Sequence, residues 1–496
     1  SSVETLKAAI SAAKDGDTIY LMNGVYDGLF LVGAKNVTLK AVNAHQAKIA
    51  GRICVAGSQE SVLTCEDIHF AVSENTLSLF GNQYYDKTKG YVIGNYSGSI
   101  TVKNCKFTGM TDDCGAIYYY SYDEGKATAE KLEKLIVENC QFNGARAIRS
   151  RSNVSVTGSQ FTGLENPCLQ VLGLGNNDLP STVVFTGNTS DVATSGVCIK
   201  TSNHATKNVT FNVAGNTNCN YIAFDSKNLA NLYPETYTYT GEVNTLTPED
   251  AAGLNKLFAS NVAEITLAPT NYEGVFSINR PVAVSSVIDN NKATITGRIN
   301  VKGNEVAALS FTNVKFAVNE DSKVKWTTGG ADMKSKPSIV MAEANDASIT
   351  FSGCDFNITT SAYAYTNTTS TYTTFDHCTF NGAFNYAMYV RANIEVTNCT
   401  YTTSVTNVLV GACVNSYANG KVIFANNTLE NGSAIGLAGA VVFCSTNNNA
   451  AGKWAGPVEF TVKDNTGFAY AYERMNNFVV DPNDHTFTEG SERFSF

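Results

Sequence analysis

The sequence predicts an all-β protein made of two parallel β-solenoids in tandem. Three observations predict this fold: a strand–turn–strand segment that recurs along the chain, a second copy of the whole pattern, and a helix signal at the start of each copy. Segments of this kind, built of short strands and Asn/Gly turns, form the coils of a solenoid, in which each coil stacks on the one before it.

The recurring segment is clearest at Ala147–Phe161, which reads AIRSRSNVSVTGSQF. An apolar strand and a polar corner precede a Val-x-Val strand, a small polar turn and a Phe. The second half of this pattern returns in five segments: Ser99–Gly109 (SITVKNCKFTG), Leu135–Gly144 (LIVENCQFNG), Ala347–Phe356 (ASITFSGCDF), Thr373–Gly382 (TTFDHCTFNG) and Asn393–Tyr401 (NIEVTNCTY). Their successive cysteines lie 35 (140 − 105), 24 (378 − 354) and 21 (399 − 378) residues apart, which is the length of one coil.

The second copy follows the first at a constant offset. The matched positions are Gly28 and Gly274, Gly51 and Gly297, and Phe70 and Phe316, each pair 246 residues apart (274 − 28, 297 − 51, 316 − 70). A chain of 496 residues is long enough for two domains. We therefore expect a tandem duplication, with one domain over residues 1–244 and the other over residues 245–496.

Each copy opens with a predicted helix. In Ser2–Lys14, Ser2 is the expected N-cap, and Leu6 and Ile10 share one face. In the second copy Thr247 is the expected cap, and the apolar face consists of Leu254, Leu257 and Phe258. We expect both helices to cover the open apolar end and the unpaired strand edges of a first coil.

Composition and charge exclude some classes of partner. The net charge is −9 and the isoelectric point about 5.2, so we expect no nucleic-acid partner. No apolar run approaches the roughly 20 residues of a membrane span. Ser1-Ser2-Val3 shows neither a basic nor an apolar leader region, so the protein is cytosolic or the sequence begins after a removed signal. We adopt the second interpretation, a secreted or cell-surface protein, and expect a monomer.

The thirteen cysteines form no CxxC pair. Five of them occupy one position of the repeat, just before the turn to Phe or Tyr: Cys105, Cys140, Cys354, Cys378 and Cys399. Residues at one position of a solenoid stack inside it, so we interpret them as small buried thiols used in packing. Disulfides between neighbouring coils are the alternative, and the cysteines do not decide the cellular compartment. The five His residues show no metal-ligand spacing, and no metal site is expected.

The stretch LKAAISAAKDGDTIYLMNGVYDG (residues 6–28) resembles the opening of the pectate-lyase-like superfamily of right-handed parallel β-helix proteins. The alginate- and chondroitin-lyase branch opens similarly, with a helix, a Gly-Asp-Thr-Ile strand and a Gly-x-Tyr turn. The later Asn-Cys-x-Phe coils resemble the superfamily as well, and so do uncharacterised bacterial surface proteins. The resemblance covers both copies and implies a right-handed parallel β-helix in each.

The residues that carry catalysis in that superfamily are mostly missing. The chain contains no GHG, RIK, WIDH-type or RxPxxR stretch, and Arg149 and Arg151 (in IRSR) only faintly resemble the RHG-type coil of the alginate-lyase branch. A lyase must neutralise a uronate carboxylate and remove the neighbouring proton, which needs calcium or Arg and a Lys or Arg base. Asp112 and Asp113, with Asp123 and Glu124, would supply carboxylates for calcium. The alternative is a solvated surface loop.

One pattern of outward side chains occurs in both copies. In the strand AIRSR, Ile148 and Ser150 should point inward, so that Arg149 and Arg151 point outward. The same parity predicts an outward surface of Tyr118, Tyr120, Arg149 and Arg151 in the first copy, and of Tyr363, Tyr365, Tyr389 and Arg391 in the second. Aromatic rings beside guanidinium groups suit sugar rings and carboxylates. Exposed strand Tyr chosen for β-propensity is the alternative.

We therefore expect a polysaccharide-binding β-helix protein without catalysis and without a cofactor. A polysaccharide lyase acting on uronates, with calcium as its cofactor, is the first alternative. A structural adhesin or spacer without a glycan ligand is the second.

Overall fold

The computed structural model describes residues 2–56, 61–79, 81, 90–120, 134–174, 180–201, 204–288, 290–303, 308–323, 337–343, 347–359, 362–367, 371–382, 387–390, 393–403, 412–414, 420–430, 439–443, 458–468, 470–474 and 485–492. The chain divides into two compact units, Ser1–Thr247 and Pro248–Phe496. This boundary lies three residues (247 − 244) beyond the expected one. Among the described residues, no helix has both the length and the apolar character needed to cross a membrane.

The first unit opens with helix α1 (Val3–Ala12) and continues almost entirely in strands. These are β1 (Asp17–Leu21), β2 (Gly24–Val32), β3 (Val37–Ala41), β4 (Ala47–Ala56), β5 (Val62–Glu66), β6 (His69–Ala71), β7 (Tyr91–Ser97), β8 (Ser99–Lys103), β9 (Lys106–Met110), β10 (Gly115–Tyr119), β11 (Lys134–Glu138), β12 (Gln141–Gly144), β13 (Ile148–Ser150), β14 (Asn153–Thr157), β15 (Gln160–Thr162), β16 (Leu169–Val171), β17 (Ser181–Thr186), β18 (Thr189–Ser190), β19 (Val197–Ile199), β20 (Val209–Ala214), β21 (Ile222–Phe224), β22 (Thr238–Tyr239) and β23 (Leu246–Pro248), the last of which spans the boundary. Short 3₁₀ turns at Glu74–Leu77, Leu229–Asn231 and Pro234–Thr236 lie between them.

The strands of the first unit stack on three sides. The first side has the order β1-β3-β5-β8-β11-β14-β17-β20-β22. The long strand β4 pairs with β6 through Lys48–Ala50 and with β7 through Ile53–Ala56, so the other sheet bends into two sides. The second side runs from β6 through β9, β12 and β15 to β18, and the third from β7 through β10, β13, β16 and β19 to β21. The paired strands run parallel, and a typical coil, such as that of β14, β15 and β16, adds one strand to each side. The predicted parallel β-helix is confirmed.

The second unit contains helices α2 (Ala251–Phe258) and α3 (Glu320–Lys323). Its strands are β24 (Glu264–Leu267), β25 (Asn271–Ile278), β26 (Val282–Ser286), β27 (Thr294–Lys302), β28 (Ala308–Thr312), β29 (Lys315–Ala317), β30 (Ser338–Glu343), β31 (Ser348–Ser352), β32 (Asp355–Ile358), β33 (Tyr363–Asn367), β34 (Tyr372–Asp376), β35 (Thr379–Gly382), β36 (Met388–Val390), β37 (Ile394–Thr397), β38 (Thr400–Thr403), β39 (Ala412–Val414), β40 (Gly420–Ala425), β41 (Thr428–Glu430), β42 (Gly439–Phe443), β43 (Val458–Lys463), β44 (Tyr470–Arg474) and β45 (His485–Phe487). Here β27 is the strand shared between two sides, because it pairs with both β29 and β30.

Both predicted helices are present, with one corrected cap. The Ser2 hydroxyl accepts a hydrogen bond from the Thr5 N–H at 3.2 Å, as an N-cap should. In α2 the cap is Asp250, whose carboxylate accepts from the Gly253 N–H at 2.9 Å, whereas the expected cap Thr247 lies in β23. The predicted face of Leu254, Leu257 and Phe258 is buried. Their role as caps stays a prediction.

Stacked aromatic rings fill the interior of the second side. Phe70, Phe107, Phe142 and Phe161 are buried on successive coils, with ring centres 5.0, 4.8 and 4.9 Å apart. This spacing follows from the separation of paired strands, about 4.8 Å. In the second unit Phe316, Phe356, Phe380 and Tyr401 repeat the stack at 4.8, 5.1 and 4.7 Å.

The cysteine position of the repeat is a hydrogen-bonding position. We call it the slot, the residue that follows the left-handed corner between the first and second sides. The slot residue accepts the slot N–H of the preceding coil: Ser159 Oγ accepts from Cys140 at 3.1 Å, and Asn188 Oδ1 accepts from Ser159 at 2.9 Å. The Cys140 thiol in turn donates to the Glu138 carbonyl at 3.3 Å. Cys, Ser and Asn at the slot are small enough for the interior and can hydrogen-bond there, whereas two coils have an apolar slot residue, Ile68 and Val314, which is also fully buried.

The thiols are free and buried in all eleven cysteines for which the structure describes a state. Burial raises the pKa of the Cys105 thiol well above its usual value. The corner residue before the slot has positive φ in each coil, as at Asn104 and Asn139 (φ 51° each) and His377 (φ 50°). His377 therefore occupies an Asn-type turn position, a structural role.

One glycine pair in each unit is required by close packing of the backbone. Gly51 has φ 106°, and a Cβ there would lie 2.3 Å from the Gly28 carbonyl oxygen. Gly297 in the second unit has φ 122°, and a Cβ there would lie 2.2 Å from the Gly274 carbonyl oxygen. Both positions lie where β4 and β27 bend from the second side to the third. The matched glycines of the sequence therefore share one steric cause.

Candidate functional site

The outward surface predicted for the first copy lies on the third side of the first unit. Strands β10 and β13 pair in parallel, with Tyr118 opposite Arg149 and Tyr119 opposite Ser150. Tyr119 and Ser150 are fully buried, whereas Tyr118 and Arg149 are half-buried. The alternation of side chains therefore places Tyr118 and Arg149 outside, as the parity argument predicted.

The four predicted side chains contact one another in pairs across the two coils. The guanidinium carbon of Arg149 lies 5.9 Å from the centre of the Tyr118 ring, and that of Arg151 lies 4.9 Å from the centre of the Tyr120 ring. The two rings are 6.3 Å apart, edge to face. The 5.9 and 4.9 Å separations between guanidinium carbon and ring centre are both within the range of cation–π attraction. We call Tyr118, Tyr120, Arg149 and Arg151 together the Tyr/Arg face.

Neither guanidinium of the Tyr/Arg face has an anionic partner among the described residues. Arg149 Nε and Arg151 Nε are buried and donate to no described acceptor, and neither side chain forms an ion pair with a described carboxylate. Burial raises the pKa of the Tyr118 hydroxyl, although the charges of Arg151 and Arg149 oppose the rise. Among the described residues, both half-buried cations lie against aromatic rings, and an anion placed beside them would be attracted by both charges.

A polar network extends the face to a third coil. Gln170 on β16 lies opposite Arg149 on β13 and is only 4% exposed. Its Nε2 donates to Asn166 Oδ1 at 3.3 Å, and Asn166 Nδ2 donates to Asp112 Oδ1 at 2.9 Å. Arg146 Nη2 also donates to Asp112 Oδ1, at 2.8 Å. The hydrogen bond from Asn166 and the charge of Arg146 lower the pKa of Asp112.

Asp112 is therefore a member of this network, and its predicted role as a catalytic carboxylate stays untested. Asp113 is exposed in the same corner, and Asp123 and Glu124 lie outside the described residues. Within the described ranges, no three His, Cys, Asp or Glu side chains come together as a metal site.

Two further polar groups border the face on later coils. Lys200 Nζ lies 3.8 Å from Asp225 Oδ2, and Asp225 also accepts from the Thr201 hydroxyl at 2.6 Å. The space around Gly173 is bounded by Arg151 and His204, because a Cβ at Gly173 would lie 3.4 Å from Arg151 Nη2 and 3.0 Å from His204 Cβ. Sequence reasoning missed Gln170 and Lys200. Their coils lack the Cys-x-Phe signature, so the sequence did not show which of their residues lie opposite the residues of the neighbouring coils.

The predicted surface of the second copy is wrong at Tyr365. This side chain is fully buried, its hydroxyl lies 2.6 Å from Thr373 Oγ1, and its ring packs edge to face on Phe351 and Phe375. A buried Tyr with a hydrogen-bond partner behaves as a core residue. Tyr365 therefore points inward, opposite to the prediction.

The other three members of that surface differ among themselves. Tyr389 lies opposite Thr366 and has outward parity, but it is only 5% exposed. Tyr363 is half-buried, with its ring centre 6.2 Å from that of Tyr389, and burial raises its pKa to about 12. Arg391 lies outside the described residues. The described part of the second unit therefore has no counterpart of the Tyr/Arg face.

The two Arg residues that match between the copies have structural contacts. Arg52 is fully buried, and its Nη1 donates to the Ser78 carbonyl at 2.8 Å. Arg298 Nε donates to Asn300 Oδ1 at 3.0 Å, and burial lowers its pKa.

Solved structures that resemble the chain are alginate lyases of low sequence identity. A structure of the PL6 family alginate lyase AlyGC is 8% identical over 98% of this chain and 99% of its own, with a TM-score of 0.26. The complex of alginate lyase AlyF-OU02 with G6 is 12% identical over 81% and 82%, with a TM-score of 0.29. A PL6 alginate lyase complex with trisaccharide is 10% identical over 98% and 85%, with a TM-score of 0.19.

These lyases belong to the parallel β-helix superfamily that the sequence resembles. No protein-family model and no curated protein matches the chain. The fold assignment rests on the strand pairing of the chain itself.

Proposed function

We propose that the first unit binds an acidic polysaccharide on the Tyr/Arg face. The observation that carries the proposal is the pair of guanidinium groups, Arg149 and Arg151, that lie outward and half-buried without an anionic partner among the described residues. A carboxylate of a bound polymer would supply the missing hydrogen bonds and charge. Such polymers occur outside cells, so we propose the same location for the protein.

The two tyrosines of the Tyr/Arg face favour a sugar ligand over a simple anion. Tyr118 and Tyr120 present rings beside the two cations on the neighbouring coil. Aromatic rings cover the apolar faces of sugar rings, and each exposed Arg–carboxylate pair contributes roughly 0.2–1 kcal/mol. Binding of one polymer segment should therefore be weak and should weaken further with salt.

Titration of the whole protein with polygalacturonate and with alginate, followed by calorimetry at low and high salt, tests the proposal. We expect binding that the double substitution R149A/R151A reduces by roughly two- to thirtyfold, the loss of two such pairs. The matched control is K48A/K106A, which removes two positive charges from the second side of the same unit. Equal losses in both variants, or none in R149A/R151A, would refute a site on the Tyr/Arg face.

The lyase alternative is favoured by one observation, the position of Lys200 beside the same face. The neutral amine of Lys200, formed by loss of a proton and released from its ion pair with Asp225, would be a candidate base for the proton next to the uronate carboxylate, while Arg149 or Arg151 neutralises that carboxylate. The electron pair of the broken carbon–hydrogen bond would form the carbon–carbon double bond as the glycosidic carbon–oxygen bond breaks, and the departing oxygen would take a proton from water. Rising ultraviolet absorbance during digestion, lost in K200A, would establish the reaction. Unchanged absorbance with bound polymer favours binding alone.

A further inference from the structure

We propose that Gln170 accepts a hydrogen bond from a sugar hydroxyl next to the carboxylate held by Arg149, so that the face selects uronates over other polyanions. This inference rests on the proposed function and adds the residue that gives it selectivity. Asp112, Arg146 and Asn166 act as positioning residues for Gln170.

The direction of the hydrogen bonds fixes the orientation of the Gln170 amide. Asn166 Nδ2 donates both to Asp112 Oδ1 at 2.9 Å and to the Ala145 carbonyl at 3.2 Å. The Oδ1 of Asn166 therefore faces Gln170, and the Gln170 group that meets it at 3.3 Å must be the donor Nε2. The Oε1 of Gln170 is left as an acceptor, and no described residue donates to it.

Asp112, at the end of the network away from Gln170, keeps the Gln170 amide in this orientation at neutral pH. Asp112 accepts from both Asn166 and Arg146, and both interactions favour its ionised form. An ionised carboxylate can only accept hydrogen bonds. Asn166 must then present its nitrogen to Asp112 and its oxygen to Gln170, so the charge of Asp112 decides which atom Gln170 turns outward.

The register places this acceptor beside the cation of the face. Gln170 and Arg149 are direct partners on β16 and β13, and partners on neighbouring strands are about 4.8 Å apart. A uronate sugar carries a carboxylate and hydroxyl groups on one ring, and two such substituents span this separation. A carboxylate polymer without hydroxyl groups can satisfy Arg149 but offers Gln170 no donor.

Two probes separate the contributions: polygalacturonate, which carries both groups, and polyacrylate, which carries carboxylates and no hydroxyls. We expect Q170L to weaken polygalacturonate binding about three- to tenfold, the loss of one neutral hydrogen bond, and to leave polyacrylate binding unchanged. We expect D112A to act in the same direction and D112A/Q170L to be no weaker than Q170L, because both act through one acceptor. Q160L, an exposed Gln on the second side, is the matched control.

The outcomes distinguish the two proposals. If R149A/R151A weakens both probes and Q170L weakens neither, the Tyr/Arg face stands and Gln170 has no part in selectivity. An equal loss of both probes in Q170L would assign Gln170 to general packing of the face and would overturn its role as a hydroxyl acceptor. If the parent protein binds neither probe, the proposed function and this inference fail together. Circular dichroism melts of each variant confirm that the fold is intact.

Discussion

The hydroxyl of Tyr365 lies 2.6 Å from Thr373 Oγ1 in the closed interior of the second unit. Both side chains are fully buried, so each supplies the hydrogen bond that the other would otherwise lack. Tyr118 in the first unit lies in the same kind of strand, is only half-buried, and makes ring contacts to the buried Tyr91 and to the half-buried Tyr120. Tyr365 and Tyr118 therefore allow an interior and an exterior tyrosine to be compared by the same substitution.

Replacement of Tyr365 by Ala should destabilise the second unit by roughly 3–5 kcal/mol, because a large buried ring and a buried hydrogen bond are lost together. Replacement of Tyr118 by Ala should cost about 1–2 kcal/mol, since the ring is only half-buried and its loss removes ring contacts without opening a cavity in the closed interior. Thermal and urea unfolding of the two variants measure the difference. Equal destabilisation would mean that the interior and exterior assignments are wrong.

Gly51→Ala should destabilise the first unit by more than about 1 kcal/mol, because the new Cβ would lie 2.3 Å from the Gly28 carbonyl oxygen in a backbone with φ 106°. Gly33→Ala is the control, since a Cβ there meets nothing within 4 Å, and it should be neutral or slightly stabilising. The midpoints of urea unfolding give both values. A Gly51→Ala protein as stable as the control would contradict the packing argument.

The interior ladder of the slot predicts a large effect at Asn188. Its side chain accepts from the Ser159 N–H and donates to the Val156 carbonyl at 3.0 Å and to Asn216 Oδ1 at 3.1 Å. Asn188→Ala leaves these groups buried without partners, and we expect a loss of at least about 3 kcal/mol. The exposed Asn143, whose side chain donates to Thr162 Oγ1 at 2.9 Å, should tolerate Ala within about 0.5 kcal/mol. Denaturant titration compares the two, and similar costs would argue against the ladder.

The stability of the first unit should fall in mild acid because of His69. Burial first, and then the charges of Lys48, Lys106 and His45, lower its pKa in the folded protein. Between the ordinary pKa of about 6.5 and this lower value, the unfolded chain binds the proton more readily. The free energy of unfolding therefore decreases as pH falls through this window.

We expect His69→Gln, which can keep the contact to the Thr108 hydroxyl, found at 2.8 Å in the parent, to flatten this pH dependence. Urea unfolding at a series of pH values between neutral and about 5 measures it. An identical pH slope in the parent and the variant would exclude His69 as the cause.

Each unit should fold alone, because each has its own strands on three sides and its own N-terminal helix. Residues 1–247 and 248–496 expressed separately should each give a cooperative, β-rich melt. If neither does so, the division into two independent domains is wrong.

The parity of the first-copy surface was predictable from sequence because apolar and polar residues differ clearly there. Ile117 and Ile148 mark the interior on β10 and β13, so their neighbours Tyr118 and Arg149 must lie outside. In β33 no such contrast exists, since the strand reads Tyr-Ala-Tyr-Thr-Asn and neither of its sides carries a branched apolar residue. The partner that makes Tyr365 an interior residue, Thr373, comes from another strand and leaves no local sign in the sequence.

The network around Gln170 was unpredictable for a different reason. Asp112, Arg146 and Asn166 occupy corners of three successive coils, 34 (146 − 112) and 20 (166 − 146) residues apart. Corner lengths vary, so the repeat does not fix which corner residues meet. The cysteine position, by contrast, was visible because the residues on both sides of it recur.

On the third side, side chains alternate between the interior, where they stabilise the coil, and the outer surface. At successive positions of one outward column the first unit has Tyr118, Arg149 and Gln170, and the first two corresponding positions of the second unit are Thr366 and Tyr389. The interior residues next to Tyr118, Arg149 and Gln170 along each strand are apolar or small, and a substitution of an outward residue would not disturb them. Outward residues of the third side can therefore be exchanged one coil at a time while the interior residues are kept. Placing Tyr, Arg and Gln at the positions of the second unit that correspond to Tyr118, Arg149 and Gln170 would be a direct way to create a second ligand surface of the proposed kind.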